Sequence, residues 1–179
     1  MSSILKNKMK NIILIGMCGA GKTTLAKEIA KKIRYNHIDA DDEIEKNEGE
    51  TFQDFIDKYG EEEAIKIEER GILNLAEFKD SVIATGGSVV YSVKAMRALK
   101  KNGILVYISL PIEIIEKRLC NDKDTRGIIG FRTRSLKELF KERKPLYEKY
   151  ADITINLNGG EKVGEIVAMV IEKITLCKQ

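Results

Sequence analysis

The eight residues Gly16-Met17-Cys18-Gly19-Ala20-Gly21-Lys22-Thr23 constrain this chain more than any other stretch. They spell G-x-x-x-x-G-K-[ST], and their flanks suit that motif. Asn11 to Ile15 is a short, β-branched apolar run that reads as a buried parallel strand. Lys22 to Ile33 places Leu25, Ala26, Ile29, Ala30 and Ile33 at helical spacing. A strand that turns through glycines into a helix points backbone N–H groups inward, with the positive end of the helix behind them. Such a nest holds a phosphate chain. Lys22 adds an ammonium for the β and γ phosphates, and Thr23 adds a hydroxyl for Mg²⁺. The expected nucleotide-binding residues are therefore Gly16, Cys18, Gly19, Ala20, Gly21, Lys22, Thr23 and Thr24.

The rest of the chain alternates strand and helix signals. His37 to Ala40, Ser81 to Thr85, Ile104 to Leu110 and Asp152 to Asn156 read as strands. Helical patterns cover Asp41 to Asn47, Thr51 to Tyr59, Glu61 to Phe78, Ser92 to Lys101, Pro111 to Leu119 and Ser135 to Tyr150, and one closes the chain after Gly159-Gly160. Ser135 and Glu138 sit at capping-box spacing. Asn121 to Arg134 has no periodicity and reads as a loop. This alternation predicts a parallel sheet covered on both faces, and 179 residues predict one domain, 1–179.

Composition removes whole classes. Apolar residues are 43 % and charged residues 33 %, which excludes a disordered chain, and no apolar run spans a bilayer. A net charge of +3 gives no case for nucleic acid, so neither a membrane nor a nucleic-acid partner is expected. The charge is uneven: Asp39 to Asp80 holds sixteen acidic and five basic residues, while Lys117 to Lys149 holds eleven basic and five acidic. The basic stretch reads either as a solvated face or as a segment that closes over a polyanion. Three scattered cysteines argue against a disulfide framework or zinc, and a single histidine, His37, argues against Ser-His-Asp chemistry. His37 reads as a core or strand-edge residue. The apolar run behind the basic first ten residues is too short for a secretory leader, so a reducing cytoplasm is expected.

Phosphate-loop proteins divide by what surrounds the loop. A switch GTPase needs D-x-x-G after a strand and N-K-x-D for guanine. Asp57-Lys58-Tyr59-Gly60 lies in an acidic helical pattern, and Asn121-Asp122-Lys123-Asp124 has its lysine one place late. Asp39-Ala40-Asp41 instead ends the second predicted strand, where alternation places both carboxylates on one side. They can reach Mg²⁺ and an acceptor hydroxyl, or serve as a helix N-cap with a first-turn acid.

At this point the sequence resembles the shikimate kinases. The resemblance rests on G-M-C-G-A-G-K-T-T at 16–24, D-A-D-D-E-I-E at 39–45, A-T-G-G-S at 84–88, R-L at 118–119, T-R-G-I-I at 125–129 and E-R-K-P-L-Y-E-K-Y-A-D-I-T-I at 142–155. It implies an α/β three-layer P-loop kinase fold, with a five-stranded parallel sheet in order 2-3-1-4-5 flanked by helices. It implies an acceptor-binding helical segment near 41–77 and a mobile lid near 121–134. It also implies an ATP-dependent phosphotransferase acting with Mg²⁺ on a small hydroxylated, anionic metabolite, shikimate first among them. A monomer is expected. By the same resemblance, Lys22, Asp41 and Arg126 are catalytic, Arg126 being the lid arginine. Thr23 and Asp39 hold the metal, and Arg118 lies against adenine. Asp41, Gly86, Gly87 and Arg143 bind the acceptor, with Arg143 taking its carboxylate. Alternative readings are a kinase of a different small alcohol on the same scaffold, a nucleoside-monophosphate kinase, and a module that binds ATP without chemistry.

Two positions depart from the family pattern. The helix that reads G-E-x-x-F-R-x-x-E in the family is Gly60-Glu61-Glu62-Glu63-Ala64-Ile65-Lys66-Ile67-Glu68 here, with Ile65 at the arginine position. The family's triple glycine is Gly86-Gly87-Ser88. Both changes fall on the acceptor side. Glu68 and Glu69 read equally as substrate-orienting groups or as a solvated face, Tyr147 and Tyr150 as packing, and Arg132 and Arg134 as solubilising. Cys18 reads as a small tolerated loop residue, or as a thiol activated by the helix N-terminus.

Overall fold

The computed structural model describes residues 10–120 and 127–177. Five strands, β1 (Asn11–Ile15), β2 (Asn36–Asp39), β3 (Ser81–Ala84), β4 (Gly103–Ser109) and β5 (Ile153–Asn156), form one parallel sheet in the order β2-β3-β1-β4-β5. In the centre Ile13 aligns with Ile83 of β3 and with Leu105 of β4. All five residues of β1 are buried, as a strand covered on both faces requires. Among the described residues eight α-helices flank the sheet: α1 (Lys22–Ile33), α2 (Ala40–Glu48), α3 (Phe52–Tyr59), α4 (Glu61–Leu75), α5 (Val93–Asn102), α6 (Ile112–Cys120), α7 (Leu136–Tyr150) and α8 (Val163–Leu176). The chain leaves β1 for β2 and β3 on one side and returns to β4 and β5 on the other. That reversal opens a crevice at the carboxyl ends of β1 and β3, where open α/β sheets bind ligands.

The sheet and its helices share one apolar core. A second cluster, Ile44, Phe52, Phe55, Ile56, Ala64, Ile67 and Ile129, joins α2, α3 and α4 to the segment after residue 126. The acidic helices thus carry their own small core beside the crevice.

Two local expectations are corrected. β2 stops at Asp39, so Asp39 and Asp41 do not share a strand face. Asp39 is the N-cap of α2, its Oδ1 accepting from the N–H of Asp41 at 3.1 Å, while Asp41 opens the first turn. Three acids in that turn favour a helix start, which outweighs extension of the strand. The long helix ends at Leu75 instead of Phe78. Asn102 donates its side-chain amide to the Ala76 carbonyl at 3.0 Å, and Asn11 does the same to Phe78 at 2.6 Å. Those carbonyls are satisfied from outside, so another helical turn gains nothing. The capping box of Ser135 and Glu138 is present at the start of α7.

Candidate active site

The loop between β1 and α1 has the backbone its glycines permit. Gly16 has φ 145°, and a Cβ there would lie 2.7 Å from the Ile108 carbonyl oxygen, so a side chain is excluded twice over. Lys22 is buried and donates its ammonium to the carbonyls of Gly16 and Met17, each at 2.8 Å. These bonds hold the lysine along the inside of the loop, and burial lowers its pKa against the nearby Asp41 and Asp39. The exposed Thr23 hydroxyl donates to Asp39 Oδ2 at 2.6 Å. Arg118, from α6, donates to the Gly19 carbonyl at 3.1 Å and so lies over the loop.

Two adjoining spaces meet there. An open cleft of about 430 Å³ is lined by the phosphate loop together with Asp39, Asp41 and Arg118. A smaller cavity of about 170 Å³ lies deeper, against Glu68, Ser88, Ile129 and Arg143. Cys18, Asp41, Gly86 and Gly87 line both. The Asp41 carboxylate thus stands where the open cleft beside the phosphate loop meets the deeper cavity.

The deeper cavity is built from buried polar groups. Arg143 is 1 % exposed; its Nε donates to the Tyr91 hydroxyl at 3.0 Å and one terminal nitrogen donates to the Ile129 carbonyl at 2.6 Å. Its guanidinium also lies 5.0 Å from the centre of the Tyr91 ring, which fixes its plane. The Ser88 hydroxyl donates to Glu68 Oε2 at 2.7 Å, and Glu68 is 3 % exposed. Tyr147 donates to the Gly87 carbonyl at 2.5 Å and stacks on Tyr107 with ring centres 5.1 Å apart.

Burial sets the charges. Desolvation, reinforced by Asp39 and opposed by Lys22, pushes Asp41 up to about 7. Desolvation and the neighbouring Asp41 push Glu68 up to about 8, against the Ser88 hydrogen bond and Arg143. A carboxyl poised near neutrality is suited to proton transfer. Burial also pushes the Cys18 thiol up, past the opposing effects of Lys22 and Arg143. That direction does not favour an activated thiol, although half-buried Cys18 lines both spaces.

The structure gathers Cys18, Gly19, Gly21 to Thr24, Asp39, Asp41, Gly86, Gly87, Arg118 and Arg143 along the two spaces. Gly16 joins them only through its carbonyl, which accepts from Lys22, and Ala20 is buried and lines neither space. Arg126 lies outside the described residues. Of the expected lid, residues 127–134 rest on the acidic helices: Gly127 N–H donates to Gln53 at 2.9 Å and Gly130 N–H to Glu61 at 2.9 Å. Arg132 pairs with Asp57, and Arg134 with Glu142. Ile65 is half-buried against the second cluster and is not among the residues lining the cavity. His37 is exposed on the edge strand β2.

Sequence reasoning undervalued three residues. Glu68 is a cavity wall, not a solvated face, and its signal was an acid three places after the Ile65 break in the family pattern. Ser88 supplies the partner for that acid. Tyr147 does more than pack, because its hydroxyl anchors the glycine pair.

Among the described residues no three His, Cys, Asp or Glu side chains form a metal cage. The Thr23 hydroxyl and the Asp39 carboxylate, 2.6 Å apart beside the phosphate loop, suit Mg²⁺ instead. That ion takes one or two protein oxygens and fills its octahedron from phosphate and water.

A family model described as shikimate kinase matches residues 18–175. A shikimate kinase of Caldanaerobacter subterraneus subsp. tengcongensis is 34 % identical over 165 residues, covering 91 % of this chain and 95 % of that protein. Another, of Clostridium botulinum, is 38 % identical over 161 residues, covering 89 % and 95 %. Among solved structures, the shikimate kinase from Acinetobacter baumannii in complex with shikimate matches with a TM-score of 0.87 at 30 % identity, covering 95 % of each chain.

Proposed function

The chain belongs to the shikimate kinase family, and on that footing we propose that it transfers the γ-phosphoryl group of ATP to a hydroxyl of shikimate, giving shikimate 3-phosphate. One observation carries the reading beyond the family. Asp41 lines both the phosphate cleft and the deeper cavity, so an acceptor hydroxyl bound to it faces the end of a triphosphate held by the loop.

The roles follow from position. The loop amides and Lys22 hold the phosphates, and Arg118 covers the nucleotide side. Thr23 and Asp39 hold Mg²⁺, which when bound spreads and neutralises charge on the phosphates. Asp41 orients the acceptor hydroxyl and takes its proton. Gly86 and Gly87 present backbone to the acceptor, and buried Arg143 receives its carboxylate. Arg126 is assigned to the incoming lid, with residues 121–134 as that lid and the helices near 41–77 as the acceptor-binding segment. Residues 1–179 act as one domain and as a monomer. The three free cysteines fit a reducing cytoplasm, where ATP is at hand.

The deeper cavity, at about 170 Å³, falls below the roughly 300–1,000 Å³ typical of drug-sized ligand sites, which disfavours a nucleotide as acceptor. A second reading, another small hydroxylated acid on this scaffold, is favoured by Ser88, which lines the deeper cavity, and by Ile65, which stands where the family pattern has an arginine although it does not itself line the cavity. An assay coupling ADP release to shikimate addition tests both. Shikimate-dependent turnover at a micromolar-to-millimolar KM is the expected result. Lys22→Ala lowers it by orders of magnitude, and Asp41→Asn keeps ATP binding while losing transfer. Shikimate-independent ADP release alone overturns the reading. If Ile65→Arg creates shikimate turnover that the natural chain lacks, the second reading stands.

A further inference from the structure

We propose that Tyr91 is a positioning residue for the acceptor: it holds the Arg143 guanidinium so that its Nη1 end is presented to the acceptor's carboxylate. This rests on the reading of the site as a kinase of a hydroxylated acid whose carboxylate Arg143 receives.

The local chain fixes where Tyr91 stands. The segment leaves Gly86-Gly87-Ser88 through a three-residue 3-10 turn, Val89–Tyr91. Val89 and Val90 are buried, and the Tyr91 N–H donates to the Ser88 carbonyl at 2.9 Å. Directly after the turn, the Ser92 hydroxyl caps α5 by accepting from the Ala95 N–H at 3.0 Å. The backbone of Tyr91 is therefore held on both sides, and its side chain meets Arg143 of α7.

The guanidinium is gripped on one edge and shown to the cavity on the other. Nε donates to the Tyr91 hydroxyl at 3.0 Å, and Nη2 donates to the Ile129 carbonyl at 2.6 Å. Nη1 stands 3.2 Å from the point that a Cβ on Gly87 would occupy, and Gly87 lines the deeper cavity. Tyr91 does not line that cavity, so its influence on an acceptor passes through Arg143. The ring helps as well as the hydroxyl, because the guanidinium carbon lies 5.0 Å from its centre, which limits tilting of the plane. The hydroxyl has a taker for its own proton. Against desolvation, hydrogen bonds from Tyr91 and Arg134 hold the Glu142 carboxyl below the usual carboxylate range. A hydroxyl that donates to a carboxylate is a better acceptor for Arg143 Nε. Without that hydroxyl the buried Nε has no phenol to donate to, and the guanidinium must turn to satisfy it, carrying Nη1 off its line.

The test uses the full chain, shikimate, and the analogue in which a neutral carboxamide replaces the carboxylate. The wild type is expected to favour the carboxylate by about thirtyfold or more in kcat/KM, as a charge-assisted contact does. Tyr91→Phe, which keeps the ring, is expected to lower that ratio about tenfold through KM for shikimate, with kcat and KM for ATP within about twofold. A merely structural role would lower kcat/KM for both acceptors alike and leave the ratio unmoved. Should Tyr91→Phe fail to fold, Glu142→Gln at an exposed position decides in its place, and is expected to lower the ratio about threefold by weakening the polarised hydroxyl. An unchanged ratio in the folded variant, or no preference for the carboxylate in the wild type, overturns the proposal, while shikimate turnover leaves the functional reading intact. Absence of any shikimate turnover by the wild type overturns both.

Discussion

The Tyr147 hydroxyl donates to the Gly87 carbonyl at 2.5 Å, tying the last turns of α7 to the glycine pair that follows β3. The phenol is fully buried and stacked on Tyr107, and burial pushes its pKa up, so it stays a donor at every working pH. Tyr147→Phe keeps the ring but orphans a carbonyl. The expected cost is about 1–3 kcal/mol, and each kcal/mol lowers Tm by roughly 2–4 °C in a chain of this size. Because Gly87 lines the deeper cavity, to which the proposed function assigns the acceptor, acceptor KM is expected to rise severalfold while KM for ATP moves less than twofold. Thermal unfolding and initial-rate kinetics check both.

Gly86 tests how little room the deeper cavity has. A Cβ there would stand 2.4 Å from Glu68 Oε1 and 2.7 Å from Asp41 Oδ1. Both are side-chain ends, so the fold survives, but both carboxyl groups must swing out of place. Gly86→Ala is expected to lower kcat/KM for the acceptor by at least a hundredfold, with nucleotide affinity by calorimetry unchanged within about threefold. A parallel loss of nucleotide affinity would mean that the two spaces are less separate than their linings indicate.

Glu68 gives the protein a readable pH signature. Its folded pKa, about 8, lies above the roughly 4.3 of an unfolded glutamate. The folded state therefore binds a proton that the unfolded chain has lost. The stability this contributes is fully present below about pH 4 and disappears as pH rises through about 8. Glu68→Gln lacks the titration, so its Tm relative to wild type should climb between pH 5 and pH 9, by an amount equivalent to a few kcal/mol. The groups facing Glu68 are Asp41 from α2, Lys22 from α1, Arg143 from α7 and the Ser88 hydroxyl. Above pH 8 the ionised pair of Glu68 and Asp41 opposes an anionic acceptor. Acceptor KM is expected to rise there in wild type and to rise less in Glu68→Gln.

How much of this was legible differs between the fold and the site. The strands, the phosphate loop and the Ser135 cap follow from local chemistry: β-branched runs, glycines at a strand-to-helix turn and a hydroxyl placed before a helix. The order of the strands in the sheet came from the family resemblance, because no local pattern fixes it. The residues around the mouth were legible because each belongs to a motif of a few adjacent positions. Asp39 ends β2 and caps α2, as the N-cap alternative has it, and it is Asp41 that leaves the expected strand face, because a strand-end acid and a first-turn acid look alike until the first helical turn is seen. Glu68, Ser88 and Tyr147 were undervalued for another reason. Ser88 meets Glu68 across 20 residues and Tyr147 meets Gly87 across 60, and no local pattern announces a partner at that range. A buried glutamate and an exposed one are spelled the same way.

Asp39 holds two positions at once, and substitution can separate them. One oxygen caps α2 through the Asp41 N–H at 3.1 Å, and the other accepts from the Thr23 hydroxyl at 2.6 Å. Asparagine is as good an N-cap as aspartate, but it brings no charge to a metal. Asp39→Asn should leave Tm within about 2 °C of wild type, because the cap survives. Its activity should nevertheless need several times more Mg²⁺ to reach half-maximum, and kcat should fall tenfold or more at limiting Mg²⁺. Asp39→Ala loses the cap as well, at about 1 kcal/mol, and tilts the first turn that carries Asp41, so its kcat falls further than that of Asp39→Asn even at saturating Mg²⁺. Equal kcat for the two variants at saturating Mg²⁺ would show that the cap does not aim Asp41; titrating Mg²⁺ against initial rate in both variants, alongside their melting curves, separates the ligand from the cap.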